Sequence, residues 1–131
     1  MGEETGWDAD KVTLFVCKTC RGADGTSRPG AGLIGLLREA FGDAEAASRA
    51  IRPVTCLVQC KSPASAALVH RNGWSYVFHG LTEDHIADLS AGARMLAADE
   101  RGFLPLKGRP PSLRSGLAAR IPPFSHQEDL S

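Results

Sequence analysis

Four cysteines carry the strongest chemical signal in the sequence. Cys17 and Cys20 form a C-x2-C pair, and Cys56 and Cys60 form a C-x3-C pair after 35 intervening residues. Two tight thiol pairs brought together by folding suit a tetrathiolate centre, because zinc and iron–sulfur clusters are commonly held by about four sulfurs. Disulfides are rare in reducing cytosol, and a chain of 131 residues can build a core without them. Four unrelated buried thiols, acting as small hydrophobes, would not be expected in such strict pairing. Cys17, Cys20, Cys56 and Cys60 are therefore the candidate metal and cofactor ligands.

Three centres compete for these residues. A zinc knuckle usually repeats C-x2-C in both halves, so the C-x3-C pair departs from it. A thiol–disulfide oxidoreductase needs Cys17 and Cys20 alone. Its acidic thiol comes from a helix that starts at the first cysteine, whereas Arg21-Gly22-Ala23-Asp24-Gly25 reads as a loop. That reading also leaves Cys56 and Cys60 without a role. A [2Fe–2S] cluster uses all four thiolates and is anionic. Lys18, Arg21 and Lys61 each adjoin a ligand in sequence and could offset its charge, while Gly22 and Gly25 could let backbone N–H groups approach the sulfurs. A solvated loop accounts for the same basic residues equally well.

The elements that must position these thiols follow from periodicity. Lys11–Val16 reads as a strand that delivers the chain to Cys17, and residues 20–32 read as a turn-rich loop. Leu33, Leu36, Leu37, Ala40 and Phe41 have helical spacing, stopped by Gly42. Asp43 can cap a second helix through Ala50. Ile51–Thr55 reads as a strand, with Pro53 at its start or edge, that ends at Cys56; residues 57–63 read as a loop or single turn. Ala66–His70 and Trp74–Phe78 flank Arg71-Asn72-Gly73, a hairpin signal. Thr82 caps a last helix whose apolar face is Ile86, Leu89, Ala93, Leu96 and Ala97. Strand–helix–strand order makes the first two strands parallel by a right-handed crossover. Both cysteine pairs then fall at the carboxyl ends of those strands, on one edge of the sheet.

The segment Cys56-Leu-Val-Gln-Cys60, with Pro63, Leu68-Val69, Tyr76, Leu81-Thr-Glu-Asp84 and Ile86, resembles the second half of thioredoxin-like [2Fe–2S] ferredoxins. The same pattern occurs in a small subunit of respiratory NADH dehydrogenase. The whole chain, from Val16-Cys-Lys-Thr-Cys-Arg21 to the Pro/Arg-rich end, is similar to an uncharacterised bacterial family of predicted metal-binding proteins. Only Lys18 and Thr19 separate the first pair, a shorter spacing than in those ferredoxins. The resemblance implies an α/β, thioredoxin-like domain over residues 11–101, with a mixed four-stranded sheet and flanking helices. Residues 1–10 would be a flexible acidic N-terminus and 102–131 a Pro/Arg-rich C-terminal arm. The implied function is one-electron transfer to or from a larger oxidoreductase through a [2Fe–2S] cluster. The alternatives are a zinc-binding structural or metal-handling protein on the same four cysteines, and, more weakly, a C-x-x-C thiol–disulfide oxidoreductase.

Composition narrows the function class. Hydrophobic residues make up 43% and charged residues 23%, with fifteen basic against fifteen acidic side chains. A zero balance argues against a protein that binds by neutralising phosphates, so no nucleic acid is expected. No apolar run approaches the roughly 20 residues of a membrane span, and Met1-Gly-Glu-Glu-Thr-Gly6 lacks a secretory signal. The expectation is a cytoplasmic domain with a redox partner protein and a possible homodimer. His70, His79, His85 and His126 are scattered and read as ordinary positions; Glu83 and Asp84 suit a helix start. Trp74, Tyr76 and Phe78 alternate on one strand face and read as packing residues. In the arm, Arg101, Lys107, Arg109, Arg114 and Arg120 with Pro110, Pro111, Pro122 and Pro123 read as a wrapping segment over a sheet edge, ahead of a docking surface for an acidic partner.

Overall fold

A computed structural model of the chain describes residues 6–18, 29–55, 57 and 64–130. β1 (Val12–Cys17) alternates side chains between two faces: Val12, Leu14 and Val16 are fully buried on one, while Thr13 and Phe15 are half-buried on the other. α1 (Pro29–Phe41) and α2 (Ala44–Ala50) lead into β2 (Ile51–Val54), which lies parallel to β1 with Leu14 beside Ile51 and Cys17 beside Val54. β3 (Ala66–His70) runs antiparallel to β1 on its other side and pairs with β4 (Ser75–Phe78). After a short 3-10 turn (Glu83–His85), α3 (Ile86–Ala98) packs back on the sheet. Leu33 and Leu37 of α1 and Leu89 and Leu96 of α3 join Leu14, Leu68, Tyr76 and Phe78 in one core.

Local chemistry explains these bounds. Asp43 Oδ1 accepts from the N–H groups of Glu45 and Ala46, satisfying two donors that the start of α2 leaves unpaired. Thr82 Oγ1 accepts from Asp84, and the His85 ring returns the contact by accepting from the Thr82 N–H. α1 begins at Pro29, four residues before the apolar stripe at Leu33; proline's fixed φ and missing N–H suit a first helical turn. The turn at residues 71–73 forms where Asn-Gly predicts it, yet Gly73 is not in the left-handed region. A Cβ on Gly73 would instead collide with the backbone of Gly102, whose carbonyl accepts from the Trp74 N–H at 2.8 Å.

The sheet has five strands, in the order β2-β1-β3-β4-β5, rather than the expected four. β5 (Leu117–Ile121) comes from the arm and pairs antiparallel with β4, with an irregularity at Val77/Phe78. The arm, expected as a Pro/Arg-rich wrapping segment, supplies this strand and also contains α4 (Ser112–Ser115). Prolines at 110, 111, 122 and 123 bracket these elements without interrupting them. Leu104 and Leu113 are fully buried, and the Leu104 N–H donates to the Tyr76 hydroxyl at 2.9 Å. Arg109 grips the chain through Leu104 O at 2.6 Å and Pro105 O at 3.2 Å, above the Tyr76 ring. Arg120 lies over Trp74 at 4.8 Å. The arm therefore covers the β4 edge, and its arginines bind the arm to the domain. At the other end, Trp7 lies within the stretch read as a flexible terminus, yet it is buried. Its indole N–H donates to Val12 O at 2.9 Å, and its ring meets Phe41 edge-on.

Candidate metal centre

Cys17 ends β1 and is fully buried. Its N–H donates to Ser65 O at 2.9 Å, and the next N–H, of Lys18, donates to Val54 O at 2.9 Å. Cys17 is thus held between the chain leaving β2 and the chain entering β3. Its Sγ lies 3.6 Å from the carbonyl oxygen of Thr55, the residue bonded to Cys56. On the β3 side, Ala64 and Leu81 exchange two backbone hydrogen bonds, at 3.3 and 3.0 Å, which fix the chain immediately after Pro63.

α1 closes the same edge. A Cβ on Gly30 would fall inside the radius of the Cys17 carbonyl oxygen, 2.9 Å from its carbon and 3.2 Å from Lys18 Cα. Only glycine lets the first turn of α1 seat on the end of β1. Gly30, Ser65 and Thr55 were not singled out by sequence reasoning. The Pro29-Gly30 helix start could have been read from the sequence, but nothing local marks Ser65 or Thr55.

Of the four candidate ligands, Cys17 is described; Cys20, Cys56 and Cys60 lie outside the described residues, as do Arg21, Gly22, Gly25 and Lys61. Lys18 is exposed beside Cys17. Among the described residues, no group of three or more His, Cys, Asp or Glu side chains is gathered to hold a metal ion. The histidines have structural partners. His70 Nδ1 accepts from the Asn72 N–H, His85 caps Thr82, His79 N–H donates to Gly116 O, and His126 contacts Glu128 and the Trp74 ring.

Residues 14–123, from within β1 to past the end of β5, match the family described as Protein of unknown function (DUF1636). The chain belongs to that family. No curated protein and no solved structure matches the chain. The family span takes in all four cysteines and most of the arm, so the β5 cover and the cysteine quartet occur in one matched unit. Among the described residues, no helix is long and apolar enough to cross a membrane.

Proposed function

We propose that the chain is a thioredoxin-like [2Fe–2S] electron carrier serving a larger oxidoreductase in the cytoplasm, with Cys17, Cys20, Cys56 and Cys60 as cluster ligands. One observation carries this reading: both stretches bearing the other three cysteines begin and end beside Cys17. Residues 56–63 leave from Thr55, whose carbonyl meets the Cys17 sulfur, and rejoin at Ala64-Ser65, bonded to the Cys17 N–H. Residues 19–28 leave from Lys18 and rejoin at Pro29-Gly30, seated on the Cys17 carbonyl. Three residues of chain span at most about 11 Å and four about 14 Å. Cys20 counted from Cys17, Cys56 from Thr55 and Cys60 from Ala64 all stay within reach of one point.

The donor chemistry fits the group. Four thiolates are soft ligands suited to iron–sulfur or zinc centres. A bound [2Fe–2S] cluster supplies reversible one-electron exchange, tuned by burial and neighbouring charge. Cys17 contributes a fully buried sulfur on a strand end that hydrogen bonds hold from both sides. The thioredoxin-like assignment draws support from the order β2-β1-β3-β4, a parallel strand pair followed by an antiparallel hairpin and a helix.

The short C-x2-C spacing favours one second reading, a zinc site on the same residues. The dithiol oxidoreductase is disfavoured, since an attacking thiol must be accessible and Cys17 is 0% exposed. Metal and acid-labile sulfide analysis of anaerobically purified protein decides between the first two. About two irons and two sulfides per chain, with colour lost on dithionite or in any single Cys→Ser variant, are expected for the cluster. Colourless protein with one zinc would replace that reading with the second.

A further inference from the structure

A cleft of about 380 Å³ lies on the sheet face opposite the core. On β1 its floor is Thr13 and Phe15; β3 adds Val69, the register partner of Thr13. These side chains are half-buried and make an apolar base. The walls are cationic. Arg52 of β2 stands beside Phe15 in the parallel register. Lys11 and Arg71 continue the antiparallel register past Val12 and His70, and the Arg71 N–H donates to Lys11 O at 2.8 Å.

Two like charges therefore face each other across a strand pair, an arrangement that costs stability unless an anion offsets it. Arg49 adds a fourth cation, and the one carboxylate among the lining residues, Asp10, is already spent on it at 3.1 Å. Among the described residues, no carboxylate pairs with Lys11, Arg52 or Arg71. Among the described residues, three cations thus stand around this concave surface without a carboxylate partner, Arg52 Nε donating instead to the Arg49 carbonyl at 3.0 Å. Guanidinium forks match carboxylate and phosphate oxygens in pairs.

We propose that this cleft binds a small organic anion with two or more carboxylate or phosphate groups, its carbon skeleton on Phe15 and Val69 and its oxygens on Lys11, Arg52 and Arg71. The described lining residues include no cysteine, and the proposal does not depend on which metal, if any, the protein carries.

Calorimetric titration of the full chain at low ionic strength tests the assignment, with tricarballylate as the polycarboxylate probe, pyrophosphate as the phosphate probe and acetate as a monovalent control. Saturable binding of one polyvalent probe, tighter than acetate by at least tenfold, is expected, and whichever probe binds better names the class. Lys11→Gln with Arg71→Gln should weaken it roughly twenty-five-fold, at about fivefold per exposed charge. Lys107→Gln, on the arm outside the cleft, should leave it unchanged. All three cleft cations are exposed, so the variants keep the core intact. Absence of saturable binding by both probes, unchanged affinity in the double variant, or an equal loss in Lys107→Gln would overturn the proposal.

Discussion

Alanine at each of three glycines in α1 separates the seat at Cys17 from ordinary helix propensity. Glycine in a helix interior costs up to about 1 kcal/mol relative to alanine. At Gly32 and Gly35 a Cβ meets nothing within 4 Å, so Gly32→Ala and Gly35→Ala should each stabilise by about 0.5–1 kcal/mol. At Gly30 the same atom would strike the Cys17 carbonyl, with Lys18 Cα at 3.2 Å. Both obstacles are backbone, locked by hydrogen bonds to Ser65 and Val54, and cannot swing aside. Overpacking of this kind costs about 1–3 kcal/mol and sometimes more, which exceeds the propensity gain. A net loss of about 2 kcal/mol corresponds to roughly 8 °C in thermal midpoint for a domain of this size. Urea denaturation with matched thermal melts reads all three variants. Metal content after desalting should fall for Gly30→Ala alone, because α1 must withdraw from the edge that holds Cys17. If Gly30→Ala behaved like the other two, the contact between α1 and β1 on which the candidate centre depends would not exist.

Three further outcomes rest on single contacts. Tyr76→Phe strands the buried Leu104 N–H and should cost about 1–3 kcal/mol; limited proteolysis should then cut the arm sooner, and an unchanged cutting rate would mean the arm is held elsewhere. Burial first, and then the Lys11 charge, push the His70 imidazole below its ordinary value of 6.5, against a smaller opposing pull from Asp99. The unfolded chain therefore takes up that proton first: the contribution is whole above about pH 6.5 and is lost as pH falls through the lower folded value. The urea midpoint should drop over that window, and His70→Gln should flatten the drop. Asp43→Ala removes the acceptor for two N–H groups at the start of α2 and should cost about 1 kcal/mol by urea denaturation, with no effect on metal content.

Much of the domain was legible because its strands and helices carry their own periodicity. Lys11–Val16 anticipated β1 to within a residue at either end, Asp43 marked the cap of α2, and the two runs around Asn72-Gly73 became β3 and β4. The α1 start was masked by a glycine-rich stretch whose purpose, a seat against Cys17, is tertiary. β5 was missed for a similar reason. Leu117-Ala-Ala-Arg-Ile121 shows little apolar alternation, lies almost wholly exposed on an edge, and is a strand only because β4 offers it a hydrogen-bonding partner. The arm reads in sequence as a wrapping segment ahead of a docking surface, and Arg109 and Arg120 do hold the arm, while the cleft cations lie just before β1, within β2 and just past β3, scattered in sequence and gathered by register.

Sequence by itself determined the types of residue available for chemistry, four thiols in two pairs, and the strand that carries Cys17 to its end. Residue spacing is a property of one chain segment and needs no partner to be read. Only the tertiary structure decided that Cys17 is buried between the exit of β2 and the entry of β3, that Gly30 closes on it, and that Lys11 and Arg71 face each other beside the Thr13–Val69 pair. Those facts are pairings between segments far apart in the chain. Their energies come from hydrogen-bond registers and packed surfaces that no local window contains.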